Sequence, residues 1–345
     1  MALSYRTRRF LRRLGIVLLA LVLLAALTWI VWILWLDRFV VYSRDGAKFD
    51  FDRPNEMLSG QLAVPPEAQE TVPIIYNDSA ANLNTSTELA QIRGYYADAT
   101  ALRDDLAGVK ARIDSLPPGS AVMLDLKTTG GYFYYSTDVG PTSSSVNTEE
   151  IDRLISDLNR KDLYLIARIP AFRDYYYGLN YTSNGLFMVS NPIGLWMDSE
   201  GCYWLDPTKE GTLNYLTRIV AEVKRMGFDE VVFSEFCFPD TDDIQFSGDQ
   251  AQAIADAANT LATISASETF CVSFCSKTTN FELPADERCR LYLVDFTAAQ
   301  VRSAADATGL EDPEIRVVFI TEHGDTRFDE FSVMRPVSLI RHEGN

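Results

Sequence analysis

Two hydrophobic regimes divide this chain. The first is one unbroken apolar stretch near the N-terminus, GIVLLALVLLAALTWIVWILWL, from Gly15 to Leu36. Its 22 residues carry no charge and would span about 33 Å as a helix, enough to cross a bilayer core. Trp29, Trp32 and Trp35 crowd its C-terminal half, where an interfacial aromatic belt belongs. The second regime begins after residue 90. There, short β-prone apolar runs alternate with segments whose apolar residues recur at helical spacing.

The short runs read as eight strands: 91–97, 121–126, 163–169, 229–233, 269–274, 290–294, 315–320 and 332–340, the last weakened by Pro336. Between them lie helical patterns. Leu102, Leu106, Val109 and Ile113 form one, and Ile151, Leu154, Ile155 and Leu158 form another, with Thr148 as its cap. Asp206-Pro207 opens a third, carrying Leu213 to Met226 and stopped by Gly227. A fourth, Ala-rich, runs from Ser247 to about Ser265, and Thr297 caps a short fifth. Strands alternating with helices imply parallel βαβ units, and seven or eight such units in about 255 residues fit a (β/α)8 TIM-like barrel. No Gly-rich phosphate loop follows the first strand, which removes support for the nucleotide-binding folds.

The expected organisation is a basic tail (1–14), a transmembrane helix (15–36), a hairpin and connector (37–90) and the barrel (91–345). Asp45-Gly46 between Phe39 and Phe51 supplies the hairpin turn. Arg6, Arg8, Arg9, Arg12 and Arg13 precede the apolar run with no acid among them, so the N-terminus is expected in the cytoplasm and the barrel outside the cell membrane. A cleaved signal peptide is the rival reading. Against it, the run exceeds an ordinary signal core and ends in bulky Trp35-Leu36-Asp37-Arg38.

Charge narrows the partners. The net charge of the chain is −17, and the residues after the basic tail carry 26 bases against 48 acids, or −22. Phosphate backbones would be repelled, so nucleic acid is excluded as a partner, while neutral sugars remain compatible. The five cysteines are scattered, and His323 and His342 are the only histidines, so neither a metal nor a cofactor is implied.

Three segments, AVMLDLKTTGGYFYYST (121–137), LYLIARIPAFRD (163–174) and WLDPTKEGTLNYLTRIVAEVKRMGFDEVVFSEFCFP (204–239), together resemble a bacterial glycoside-hydrolase-like family. That family is a TIM-barrel domain distantly related to α-amylase-type barrels. Leu124-Asp125-Leu126-Lys127 stands where the family usually reads Val-Ile-Asp-Val-Lys, and Ala167-Arg168-Ile169 matches its third strand. The resemblance implies action on a polysaccharide or glycan of the cell wall or extracellular space. The chain departs from the family at the fourth strand. Where the family carries Phe-Asp-Tyr-Ile-Arg-Phe-Pro, this sequence has Ser234, Glu235 and Cys237. A carboxylate thus survives one residue late, and strand alternation would aim it at the opposite face.

Barrel chemistry gathers at the C-terminal strand ends. Glycoside hydrolysis needs two carboxyl groups flanking the scissile bond, and the preferred pair is Asp125 with Glu235 as general acid. Substrate-binding candidates are Lys127, Tyr132, Arg168, Trp204, Asp206, Ser234, Asp295 and Glu322, the last two doubling as substitute acids; Arg173 and Thr321 also stand at strand ends. Each has a structural alternative: Asp125 can pair with Lys127 or Arg168, and Asp206 can cap a helix. Aromatics crowd the loops after the second and third strands, among them Tyr132 to Tyr135, Tyr175 to Tyr177, Tyr181, Trp196, Tyr203 and Trp204. They would either stack on sugar rings or pack the loop onto the barrel. A catalytically silent glycan- or protein-binding barrel is the alternative to a hydrolase, and an envelope scaffold is a third reading.

Overall fold

The computed structural model describes residues 90–340, apart from 266, 268 and 287, together with the strand residues 40–43 and 46–49. Strands β1 (Val40–Ser43) and β2 (Gly46–Phe49) pair antiparallel with Ser43 opposite Gly46, so Gly46 begins the second strand rather than forming the expected turn with Asp45. They fall in a compact unit separate from the barrel. The expected transmembrane helix, 15–36, and the basic tail lie outside the described residues. Among the described residues, no helix is long and apolar enough to cross a membrane.

The barrel strands are β3 (Arg93–Ala97), β4 (Ser120–Asp125), β5 (Leu163–Pro170), β6 (Glu230–Ser234), β7 (Cys271–Ser276), β8 (Leu291–Leu293), β9 (Val317–Ile320) and β10 (Ser332–Pro336). All pair in parallel and close in sequence order, with β10 beside β3. The eight apolar runs are thus the eight staves. Pro336 is accommodated because it is the last residue of β10, where a missing N–H costs no interior ladder bond. The helices are α1 (Ala99–Asp104), α2 (Leu106–Asp114), α3 (Thr148–Leu158), α4 (Tyr175–Asn180), α5 (Glu210–Arg225), α6 (Gln250–Ser265), α7 (Val301–Ala307) and α8 (Pro313–Arg316). The β7–β8 connection carries no helix among its described residues. Phe281 and Leu283 pack against the core there instead.

Helix boundaries differ from the sequence reading where side chains intervene. The expected helix through Leu102 and Ile113 is two helices, because Asp105 turns its carboxylate onto the Gly108 N–H and caps the second. Asp206-Pro207 does not begin α5. The Asp206 carboxylate takes both the Thr208 N–H and its hydroxyl in a closed local turn, and the helix starts at Glu210. Thr297 likewise gives its N–H and hydroxyl to Gln300, and α7 begins at Val301. At the other end of α5 the glycine stop holds. Gly227 has φ +87°, and a Cβ there would meet the Asn159 side chain that bonds the Met226 carbonyl.

Strand residues divide by parity. One set, including Leu124, Ala167, Val231 and Phe233, packs outward beneath the helices with Ile151, Leu154, Leu216 and Val220. The other set fills the lumen: Met123, Ile166, Val232, Tyr292, Val318 and Met334 form a separate buried cluster. Near the N-terminal strand ends, fully buried Glu230 pairs with Arg290 at 2.9 Å, and the Tyr164 hydroxyl bridges them. The lumen is therefore a packed plug, and open space begins only above it.

Candidate active site

Above that plug, at the C-terminal strand ends, lies a groove of about 1340 Å³. Asp125 and Arg168 belong to the lumen-facing parity of β4 and β5 and sit directly opposite in register. The guanidinium grips both carboxylate oxygens, Nε to Oδ1 at 2.5 Å and Nη2 to Oδ2 at 2.6 Å. Arg168 also lies over the Tyr96 ring at 5.6 Å. Burial pulls the guanidinium pKa down, but the Asp125 charge and hydrogen bonds outweigh it and hold Arg168 more firmly protonated than usual. Of the two partners weighed for Asp125, the structure selects Arg168.

Lys127 goes elsewhere. Its ammonium is fully buried 2.7 Å from the Asp174 carboxylate, donates to the Pro170 carbonyl, and lies near the Phe133 and Tyr215 rings. Asp174 in turn accepts from the Tyr215 hydroxyl and the Tyr177 N–H. Lys127 thus stiffens the groove wall with a satisfied charge.

Strand alternation would send Ser234 into the lumen and Glu235 away from it. Instead both line the groove. Glu235 adopts φ +50°, a left-handed conformation rare for a non-glycine residue and costing roughly 1–2 kcal/mol. That bend breaks the period-two alternation. Backbone bonds from the residues just past β5 hold it: Ala171 N–H to the Ser234 carbonyl at 2.8 Å and Phe172 N–H to the Glu235 carbonyl at 3.3 Å. No side chain among the described residues pairs with the Glu235 carboxylate. The Cys275 thiol marks the shared space. Burial raises its pKa to about 12, Arg168 opposes, and Glu235, Asp125 and Asp295 add to the rise. Asp295 repeats the left-handed turn (φ +66°) just past β8, but it is exposed and 3.7 Å from Lys277.

The long segment between β5 and α5 roofs one side. Arg173 binds Asp198 at 2.6 Å and Glu200 at 2.7 Å, and the Trp204 indole N–H donates to the same Asp198 at 3.0 Å. Burial would raise the Asp198 pKa, yet these donors and the Cys202 N–H hold it at about 2. This staple sets Trp196 and Trp204 along the groove. The other aromatics divide. Phe133, Tyr134 and Tyr135 are buried, and Tyr177 stacks on Tyr215 at 4.0 Å, so these rings pack the loop down. Tyr132, Tyr175 and Tyr181 are exposed.

Of the residues singled out from the sequence, the groove gathers Asp125, Arg168, Ser234, Glu235 and Trp204, with Lys127 embedded in its wall. Tyr132, Asp206, Asp295 and Glu322 are not on its lining. Glu322 follows β9 close enough to raise the Tyr96 pKa, which burial first and then this charge bring to about 12. Sequence reasoning missed Asp174, Asp198 and Cys275. No group of histidine, cysteine and acidic side chains among the described residues is arranged to hold a metal.

Residues 118–273 match the model of a family described as "Putative glycosyl hydrolase domain". All three segments that carried the sequence resemblance fall inside that range. No curated protein matches the chain. Among solved structures, a GH36 α-galactosidase from Geobacillus stearothermophilus in complex with 1-deoxygalactonojirimycin is similar at TM-score 0.50 and 10% identity, over 74% of this chain and 40% of that one. A hypothetical protein from Ruminiclostridium thermocellum is similar at TM-score 0.46 and 20% identity, over 52% of this chain and 96% of that one. Aspergillus fumigatus Ega3 in complex with galactosamine is similar at TM-score 0.46 and 12% identity, over 73% and 94%. The first of these likenesses supports the barrel fold; at such identities none speaks to chemistry.

Proposed function

We propose that this chain is a membrane-anchored glycoside-hydrolase-like protein that engages a cell-wall or extracellular polysaccharide in the groove, with Glu235 as general acid and Asp125 as the partnering carboxylate. The observation that carries the proposal is the left-handed turn at Glu235. It spends strain to aim an unpaired carboxylate into an open groove that also holds Asp125 and two tryptophans. Hydrolysis needs an acid on one side of the glycosidic oxygen and a carboxylate on the other. Asp125, gripped by Arg168, has a fixed orientation suited to the second role. The apolar stretch 15–36 supplies the anchor and the basic tail sets the barrel outside the cytoplasm.

A second reading, a silent glycan-binding barrel, has its own support. Ser234 stands where the resembling family carries Asp, and both Asp125 oxygens are already engaged by Arg168. Reducing-end release from a panel of neutral and amino-sugar polysaccharides decides between them. Turnover by the wild type that falls at least about a hundredfold in Glu235→Gln supports the acid role. Binding without turnover supports the silent barrel. Turnover left intact in both Glu235→Gln and Asp125→Asn removes the pair.

A further inference from the structure

We propose that the tyrosines on the outer face of the β4 and β5 loops form a second glycan-stacking platform, continuous with the groove and holding further units of the same polysaccharide chain. This inference rests on the glycan reading of the groove and extends it beyond the lined cavity. Tyr132 packs with Tyr176 at 6.1 Å between ring centroids, and Tyr175 stacks on Tyr203 at 5.4 Å with 17° between planes. Tyr132 and Tyr175 are 41% and 36% exposed, so the pairs present ring surface to solvent rather than to the core.

Their hydroxyls have no protein partner among the described residues. By contrast, the hydroxyls of Tyr135 and Tyr177, on the packed side of the same loops, and of Tyr215 on α5 beneath them are bound to Glu222, Gly211 and Asp174. A ring with a free hydroxyl matches a sugar, which offers an apolar C–H face edged with hydroxyls.

The platform is tied to the groove by backbone. Tyr175 N–H donates to the Thr129 carbonyl at 3.0 Å, and Tyr176 N–H to the Gly130 carbonyl at 3.2 Å. Thr129 itself lines the groove. Gly131 permits this contact: its φ is +83°, and a Cβ would stand 2.7 Å from the Tyr176 Cβ. A chain leaving the groove past Thr129 therefore meets the tyrosines next. The occupant that fits is the continuation of the bound glycan, since the exposed surface is a run of rings with hydroxyl edges rather than a smooth aliphatic patch.

The test uses the full chain with Tyr132→Ser and Tyr175→Ser combined; both sites are exposed, so the fold is expected to persist, checked by an unchanged melting temperature. Probes are laminarin, soluble starch and glycol chitosan, each paired with the trisaccharide of its repeat. Retention in polymer-containing native gels should weaken roughly fivefold or more, as loss of two ring contacts implies, while trisaccharide affinity stays the same. Trp196→Ala, inside the groove, should weaken both. Unchanged polymer retention in the double tyrosine variant, with Trp196→Ala still weakened, overturns the platform and leaves the groove standing. A wild type that binds none of the polymers or trisaccharides overturns both.

Discussion

Replacing Asp125 by Asn separates what that carboxylate does for the fold from what it does in the groove. The pair with Arg168 is bidentate at 2.5 and 2.6 Å, and the two side chains are only 13% and 19% exposed. Asparagine keeps one acceptor but turns an amide N–H₂ toward a guanidinium that can only donate. Arg168 then loses its bound counter-charge inside the barrel mouth and keeps the Tyr96 ring beneath it. Breaking such a pair from one side costs about 3–5 kcal/mol. For a domain of this size, each kcal/mol moves the melting temperature by about 2–4 °C, so a fall of roughly 6–20 °C is expected. Adding Arg168→Met should restore most of it, because an apolar residue needs no counter-charge there. Circular dichroism melts and urea titrations of the four proteins in the cycle measure this directly. An Asp125→Asn protein within about 1 kcal/mol of wild type, or a double variant no better than the single, refutes the argument. The cycle also guards the activity assay, because turnover lost in Asp125→Asn counts as chemistry only at a temperature where that variant is folded.

Other expectations follow from the same geometry. Asp229 is half-buried, and desolvation raises its carboxyl to about 6 although the Leu165 N–H opposes this. Its folded pKa thus exceeds the unfolded value near 4, so its contribution is full below pH ~4 and is lost as pH rises through 6. Relative to Asp229→Asn, the wild type should lose about 2–3 kcal/mol between pH 4 and 7.5 in urea titrations, and a flat difference contradicts the burial argument. Asp198, held at about 2, has the opposite sign: its stabilisation is present above pH ~4 and drains as pH falls toward 2, and Arg173→Met should remove most of that acid sensitivity. Gly131→Ala should destabilise the barrel by more than about 2 kcal/mol, because the left-handed φ disfavours alanine and the Cβ would collide with the Asp174 Oδ1 that accepts the Tyr177 N–H. Cys237 is the exposed cysteine while the other four are buried, and although burial and then Glu235 push its thiol up to about 11, native alkylation at raised pH should label this site first, and a bound glycan in the groove should slow it; labelling of Cys202 or Cys275 at a similar rate counts against the packing described.

The barrel was legible in the sequence because its information is local. A buried parallel strand needs a continuous apolar run, and each of the eight runs became a stave. The amphipathic spacing of Ile151, Leu154, Ile155 and Leu158 likewise became the inner face of α3. Boundaries were less legible where a short polar side chain chose between capping and closing a turn. Asp105 and Asp206 belong to the same residue type, yet one starts a helix and the other folds back on Thr208.

The site was legible in its inward positions and illegible in its partners. Parity places Asp125, Arg168 and Ser234 toward the lumen, and nothing but strand period is needed to say so. Pairing across the groove depends on residues far apart in sequence: Lys127 finds Asp174 and Arg173 finds Asp198, because the post-β5 segment folds back over the mouth. No local pattern announces that return. Glu235 is the sharper case. Its spacing from Ser234 argues that it faces away, and the backbone overrides the spacing with one left-handed residue. The Ser234 and Glu235 carbonyls are both taken by N–H groups just past β5, so the turn is held by backbone that no local sequence pattern announces, and the proposed acid role depends on it.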